Sequence, residues 1–302
     1  MYYLAAVVPF LRRRRIPVSR DEVMLLMAAL NEFFLAVDIL LAHSISGTIT
    51  RNEWIPIVFG PLAAIGLVVA GLVARRQRDV ASVVATSIFL LSILVGLLGA
   101  YFHLVRAILP YAPIGERVSI PLLVWAPPIL GPLTFALVGW LGLSAVWIET
   151  PPDSGRLTLV GRRSLRLPYS KTRAYLLIVG LGILATVISS VLDHARTDFS
   201  NPWLWVPTIV GAFAVGVPIG LAFLDEPKPR EIAVHVCTMG ALILVGIAGS
   251  WLHIQENLSS GGSVVAERFV RGAPFMAPLL FANMGTLGLI ALLDPAEPVP
   301  GD

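Results

Sequence analysis

The sequence predicts an all-α integral membrane protein of eight transmembrane helices, arranged as two tandem, parallel-oriented four-helix bundles. Three observations predict it. The 302 residues are 56% hydrophobic and only 14% charged, against about 25% charged in a soluble domain. Eight apolar runs are each long enough to cross a hydrocarbon core of roughly 30 Å, which takes about 20 helical residues. The second half of the chain also repeats the first at a nearly constant offset.

The eight runs lie near 22–43, 54–74, 80–106, 120–147, 172–194, 203–224, 231–254 and 273–293. They are continuous rather than alternating, which excludes a closed β-barrel. The opening "MYYLAAVVPF" is short, and Arg12, Arg13, Arg14 and Arg15 follow it instead of preceding it. The four arginines therefore read as the inner flank of the first span, and no cleavable signal peptide is expected. The longest connection, about Glu149–Thr172, is basic and leaves no room for a soluble domain.

Lysine and arginine set the orientation. One set of flanks holds Arg12 to Arg15, Arg20, Arg75, Arg76, Arg78, Arg156, Arg162, Arg163, Arg166, Lys171, Arg173, Lys228 and Arg230. The other holds only Arg51, Arg106, Arg117, Arg196, Arg268 and Arg271. The first set is expected to be cytoplasmic, so both termini face the cytoplasm and the first, third, fifth and seventh spans run outward. The net charge of +3 then reflects inner-loop arginines, with no nucleic-acid partner implied. The expected setting is the lipid bilayer of the cytoplasmic membrane.

The duplication rests on residues that chance apolar matches do not share. "LVGLLGAYFH" at Leu94–His103 matches "LVGIAGSWLH" at Leu244–His253. "WIPIVFGPLA" at Trp54–Ala63 matches "WVPTIVGAFA" at Trp205–Ala214. "PILGPLTFALVGWLGL" at Pro128–Leu143 matches "PFMAPLLFANMGTLGL" at Pro274–Leu289, and the loop pair Glu116-Arg117 recurs as Glu267-Arg268. The offset stays between 146 and 151. Residues 1–150 form one repeat and 151–302 the other. Four spans return the chain to its starting side, so the halves are parallel, not inverted.

Four of the five histidines obey the repeat: His43 with His194, and His103 with His253. All four fall at the outer ends of odd-numbered spans. In a sequential antiparallel bundle the first and third helices are diagonal neighbours, so each half would set two imidazoles opposite each other. Imidazole is a common metal ligand, and an axial pair on facing helices suits a haem. Gly96 and Gly99 share a helical face with His103, and Gly246 and Gly249 share one with His253, at about 100° per residue. Such faces would admit a macrocycle or simply a neighbouring helix. Arg106, one turn beyond His103, could pair with a propionate. His235 has no repeat partner and reads as structural. The single cysteine, Cys237, excludes an intrachain disulfide.

Glu32 and Asp38 lie within the first span and have no acidic counterparts in the second half. Ionisable residues at such depth line cavities or proton paths, so they are candidates for a proton path or a quinone contact. Asp193, beside His194, could orient that imidazole from behind. The sequence contains no phosphate-binding loop, no dinucleotide fingerprint, no HExxH and no nucleophile elbow.

The layout of eight spans in two four-helix halves, with two outward histidines per half spaced about sixty residues apart, resembles the haem A synthase family. That resemblance implies that His43/His103 and His194/His253 each hold a haem, here expected as haem b. More weakly, the architecture resembles the eight-helix membrane anchors of the polysulfide reductase kind, which implies quinol binding without haem. Three functions stay open. The first is a redox membrane protein holding haem b or another metal such as copper, as an electron-transfer subunit with an outer-face redox partner or further subunits. The second is a haem-free quinone-binding anchor. The third is a proton-coupled transporter using Glu32 and Asp38.

Overall fold

The fold is described from a computed structural model, covering residue 4 and residues 19–44, 49–74, 76–105, 108, 114–115, 117–119, 130–159, 163–195, 197–259 and 266–293. Helices dominate: α1 (Arg20–Ser44), α2 (Trp54–Ala74), α3 (Arg78–Val105), α4 (Leu130–Val146), α5 (Lys171–Ala195), α6 (Trp205–Phe223), α7 (Pro229–Ser259), α8 (Ala266–Arg271) and α9 (Leu279–Ile290). A 3₁₀ turn at Pro202–Leu204 leads into α6.

Among the described residues six helices are long and apolar enough to cross a membrane: α1, α2, α3, α5, α6 with its 3₁₀ turn, and α7. The expected fourth and eighth spans are shorter. At about 1.5 Å per residue, the 17 residues of α4 reach roughly 26 Å and the 12 of α9 roughly 18 Å, both under the hydrocarbon thickness. Residues 120–129 of the expected fourth span lie outside the described residues. In the eighth, Phe275–Pro278 form turns and Pro278 caps α9. Proline has no N–H to donate back into a preceding turn, so helix begins after it.

Local sequence explains where α1 and α5 start. Ser19 Oγ accepts from the Glu22 N–H while Glu22 Oε2 accepts from the Ser19 N–H, a reciprocal capping box. Ser170, at the repeat-equivalent position, accepts from the Arg173 N–H at the start of α5.

Within residues 1–150, α1 packs on α2, α2 on α3, α3 on α4, and α4 back on α1. Within the second half, α5 packs on α6, α6 on α7, α7 on α9, and α9 back on α5. Helices α4 and α5 touch across the halves, as do α9 and α1. One buried apolar cluster fills the second half and reaches Met24 of α1 and Leu141 and Ala145 of α4. A second, around Phe89, Ala28 and Leu67, fills the first.

The outward faces are apolar. Leu62, Ile65, Leu94, Leu97, Ile209, Phe213, Leu244 and Ile247 are each more than half exposed. So broad an apolar surface suits lipid rather than water. Exposed aromatics recur by the repeat as well, Trp54 with Trp205 and Tyr101 with Trp251, where an interfacial belt is expected.

The basic connection holds a small element that periodicity did not announce. Strands β1 (Ile148–Glu149), β2 (Arg156–Thr158) and β3 (Ser164–Arg166) form an antiparallel meander, pairing Glu149 with Leu157 and Leu157 with Leu165. Gly155 turns the chain at φ +71°, where a Cβ would press on the Leu167 and Tyr169 carbonyls at 2.9 Å.

Candidate functional site

The histidine positions are set by helix length. His43 sits in the last turn of α1 and His103 in the last turn of α3. Their rings face each other with centroids 6.0 Å apart and planes tilted by 54°. Two imidazoles that share one metal ion at about 2.0–2.1 Å per nitrogen have centroids roughly 4.5–6.5 Å apart as the N–metal–N angle opens from about 90° to about 180°. The separation of the first pair lies within that range.

The second pair is arranged differently. The His194 ring meets Phe199 edge-on at 6.0 Å, and its Nδ1 lies 3.5 Å from Ser190 Oγ. His253 Nδ1 lies 3.0 Å from the Pro274 carbonyl. A carbonyl only accepts, so Nδ1 carries the hydrogen and the Nε2 lone pair is left for a ligand. The two residues stand within Coulombic range of each other, with Phe199 against one of them.

The glycine faces receive helices. A Cβ on Gly96 would lie 2.5 Å from the Ala136 backbone nitrogen, and one on Gly246 lies 2.5 Å from that of Ala282. Gly99 abuts Pro132 at 2.7 Å and Gly249 abuts Pro278 at 2.9 Å. These are the same contacts made twice, α3 against α4 and α7 against α9. A group held by His103 or His253 therefore meets the protein through imidazole and not through the glycine face.

Asp38 on α1 and Asp193 on α5 lie within Coulombic range of each other, and Asp193 also acts on His194. Glu32 is fully buried and bonded to Ser92 on α3, Oγ to Oε1 at 2.6 Å. Arg106 lies outside the described residues. His235 is fully buried and donates from Nε2 to the Gly288 carbonyl at 3.0 Å, tying α7 to α9. Among the described residues no group of three or more His, Cys, Asp or Glu side chains is placed to hold a metal ion.

At the opposite end of the helices stands a network that the sequence reading missed. Lys171 Nζ donates to Asp21 Oδ2 at 2.6 Å and to the Trp147 carbonyl at 2.7 Å. Tyr175 donates to Asp21 Oδ1 at 3.1 Å, and Arg20 Nη1 donates to Thr172 Oγ1 at 2.6 Å. Thr172 in turn donates to Asp153. Glu149 accepts from the Asp153, Gly155 and Lys171 N–H groups. Arg20, Lys171 and Tyr175 are fully buried, with the guanidinium 5.1 Å from the Tyr175 ring centre. A usable signal was present: at offset 151, Arg20 aligns with Lys171 and Ser19 with Ser170. By composition these cations read as inner-flank charges, and only the adjacent Asp21 hinted that one is buried.

No family model, no curated protein and no solved structure matches this chain.

Proposed function

We propose that this chain is an eight-span protein of the cytoplasmic membrane, built as two tandem, parallel four-helix bundles with both termini cytoplasmic. We further propose that it holds a redox-active metal centre at its outer face. The observation that carries the second claim is the His43–His103 pair, two imidazoles on different helices at 6.0 Å. The helix ends support the first claim. The starts of α1 and α5 share the Asp21–Lys171 and Arg20–Thr172 bonds, and farther along Asp38 approaches Asp193. The two helices thus run side by side in one direction, as a parallel repeat requires. The Trp147 carbonyl, just past α4, bonds to Lys171, so the fourth helix ends where the first begins.

The centre proposed is haem b iron, with copper as the alternative metal. When bound, such a centre supplies one-electron chemistry. The protein's part is ligation and placement. His43 and His103 supply two nitrogens at the ends of α1 and α3, and the α3–α4 contact at Gly96 and Gly99 fixes the angle at which α3 arrives. His253, with Nδ1 engaged by Pro274, offers Nε2 in the second half, and His194 would join it once its ring leaves Phe199. An outer-face position fits electron exchange with a partner on that side.

The test is the visible absorption and metal content of the protein purified from a haem-producing host. A Soret band, or near-stoichiometric iron or copper, that is lost in His43→Ala supports the proposal. Neither signal in well-folded protein refutes it.

A further inference from the structure

Glu32 lies twelve residues into α1 and eleven before His43, so about 18 Å from one end of the helix and about 16 Å from the histidine. That is mid-depth. The carboxyl is fully buried. Its Oε1 is 2.6 Å from Ser92 Oγ, and its Oε2 has no hydrogen-bond partner among the described residues.

The hydrogens can be counted. Ser92 Oγ also lies 3.1 Å from the Ile88 carbonyl. A hydroxyl has one hydrogen and both neighbours are acceptors. A carboxylate would take that hydrogen, leave the Ile88 bond unmade and bury a full charge with one oxygen unpaired. A carboxylic acid donates its own hydrogen to Ser92 Oγ, and Ser92 then donates to Ile88. Both contacts are made and no charge is buried.

No counter-ion stands at this depth among the described residues. Helices α2, α4 and α9, which pack on α1, contain no ionisable side chain. Helix α3 carries Arg78, Asp79, Tyr101 and His103 only at its ends. Helix α5 carries Lys171, Arg173 and Tyr175 at one end and Asp193 and His194 at the other. On α1 itself the nearest is Asp38, and α8 carries Glu267 and Arg268.

The fold does not need this carboxyl. The repeat-equivalent positions are Ile183 and Leu242, both fully buried. The same helix crossing is thus filled once by two apolar side chains and once by an acid and a hydroxyl.

We propose that Glu32 is a proton-binding site at mid-membrane, its acid O–H held by a hydrogen bond to Ser92 Oγ and its Oε2 buried without a hydrogen-bond partner among the described residues. The proposal is independent of any metal at the outer face. The probe is dicyclohexylcarbodiimide, applied to the full-length protein in lipid vesicles over a pH series. The acid O–H adds across one C=N bond: oxygen bonds to carbon and the proton goes to nitrogen. Acyl migration from oxygen to nitrogen then gives a stable N-acylurea. Nothing leaves, so the peptide gains the mass of one carbodiimide.

Fragment-ion mapping of wild-type protein separates Glu32 from Asp38 without a variant. The expected result is modification at Glu32 that declines as pH rises, is absent in Glu32→Gln and is unchanged in His43→Ala. Absence of the adduct at Glu32 across the series, while Asp38 or an added hydrophobic acid reacts, overturns the proposal. Protection by sodium ions at constant pH also overturns it, by making the site one for a metal cation.

Discussion

His43 at the end of α1 and His103 at the end of α3 face each other with ring centroids 6.0 Å apart. The two side chains come from positions sixty residues apart, brought together by the packing of α1, α2, α3 and α4. If they share one ligand, removing either imidazole removes the site. His43→Ala and His103→Ala are each expected to lose the bound metal centre, and the double variant should be no worse than either single one. Metal stoichiometry after purification checks this.

His235 should behave in the opposite way. Its Nε2 bond to the Gly288 carbonyl is an interior tie between α7 and α9. His235→Leu is expected to cost about 1–3 kcal/mol, because a buried carbonyl loses its donor, while metal content stays unchanged. Thermal unfolding in detergent, run beside metal analysis, separates the two effects.

The Lys171–Asp21 pair joins the two halves, with side chains only 1% and 11% exposed. Lys171→Met removes the shorter of the two cation contacts to Asp21, leaving it Tyr175 and Arg20, and is expected to cost about 3–5 kcal/mol, whereas Asp21→Leu with Lys171→Met should recover little because Arg20 is then buried without its carboxylate. The readout is the midpoint of thermal unfolding in the same detergent. A single-variant loss below about 1 kcal/mol, the range of an exposed ion pair, would mean that the pair is solvated.

The repeated glycines give a matched test. Gly96→Val and Gly246→Val each push a side chain into the backbone of the neighbouring helix, and each is expected to lose about 1–3 kcal/mol or more through overpacking. Gly216→Ala on α6 meets nothing within 4 Å. It is expected to be neutral, or stabilising by up to about 1 kcal/mol.

Orientation can be read by chemical labelling. With Cys237 replaced by Ser, a cysteine at Arg51 should react with a membrane-impermeant maleimide added to intact cells. A cysteine at Arg230 should react only after the membrane is opened. The reverse pattern would invert the topology.

Much of this fold is legible in the sequence because apolar run length and a repeat at one offset are strong, local signals. Gly96 and Gly246, and Gly99 and Gly249, make matching contacts because the sequences around them match. The short helices were harder. Pro274 and Pro278 lie within an apolar run that hydropathy alone counts as a span, yet they turn the chain before α9 begins. The ionic network at the starts of α1 and α5 was illegible for another reason. Snorkelling and buried cations look alike in sequence, and only the packing of α1 beside α5 distinguishes Arg20 and Lys171 from their exposed neighbours. At the far ends of α1 and α3, the pairing of His43 with His103 was legible from the diagonal geometry of a bundle. The ring of Phe199 against His194 was not, because it comes from a loop residue at φ +50° that helical periodicity does not address.

The most direct test of the central claim is the absorption spectrum and metal content of wild-type protein purified from a haem-producing host, read beside His43→Ala and His103→Ala. The account predicts a Soret band, or near-stoichiometric iron or copper, in the wild type and its loss in both variants, with helix content unchanged by circular dichroism. A folded wild-type protein with no Soret band and no stoichiometric metal, or a metal signal indifferent to both substitutions, would contradict it.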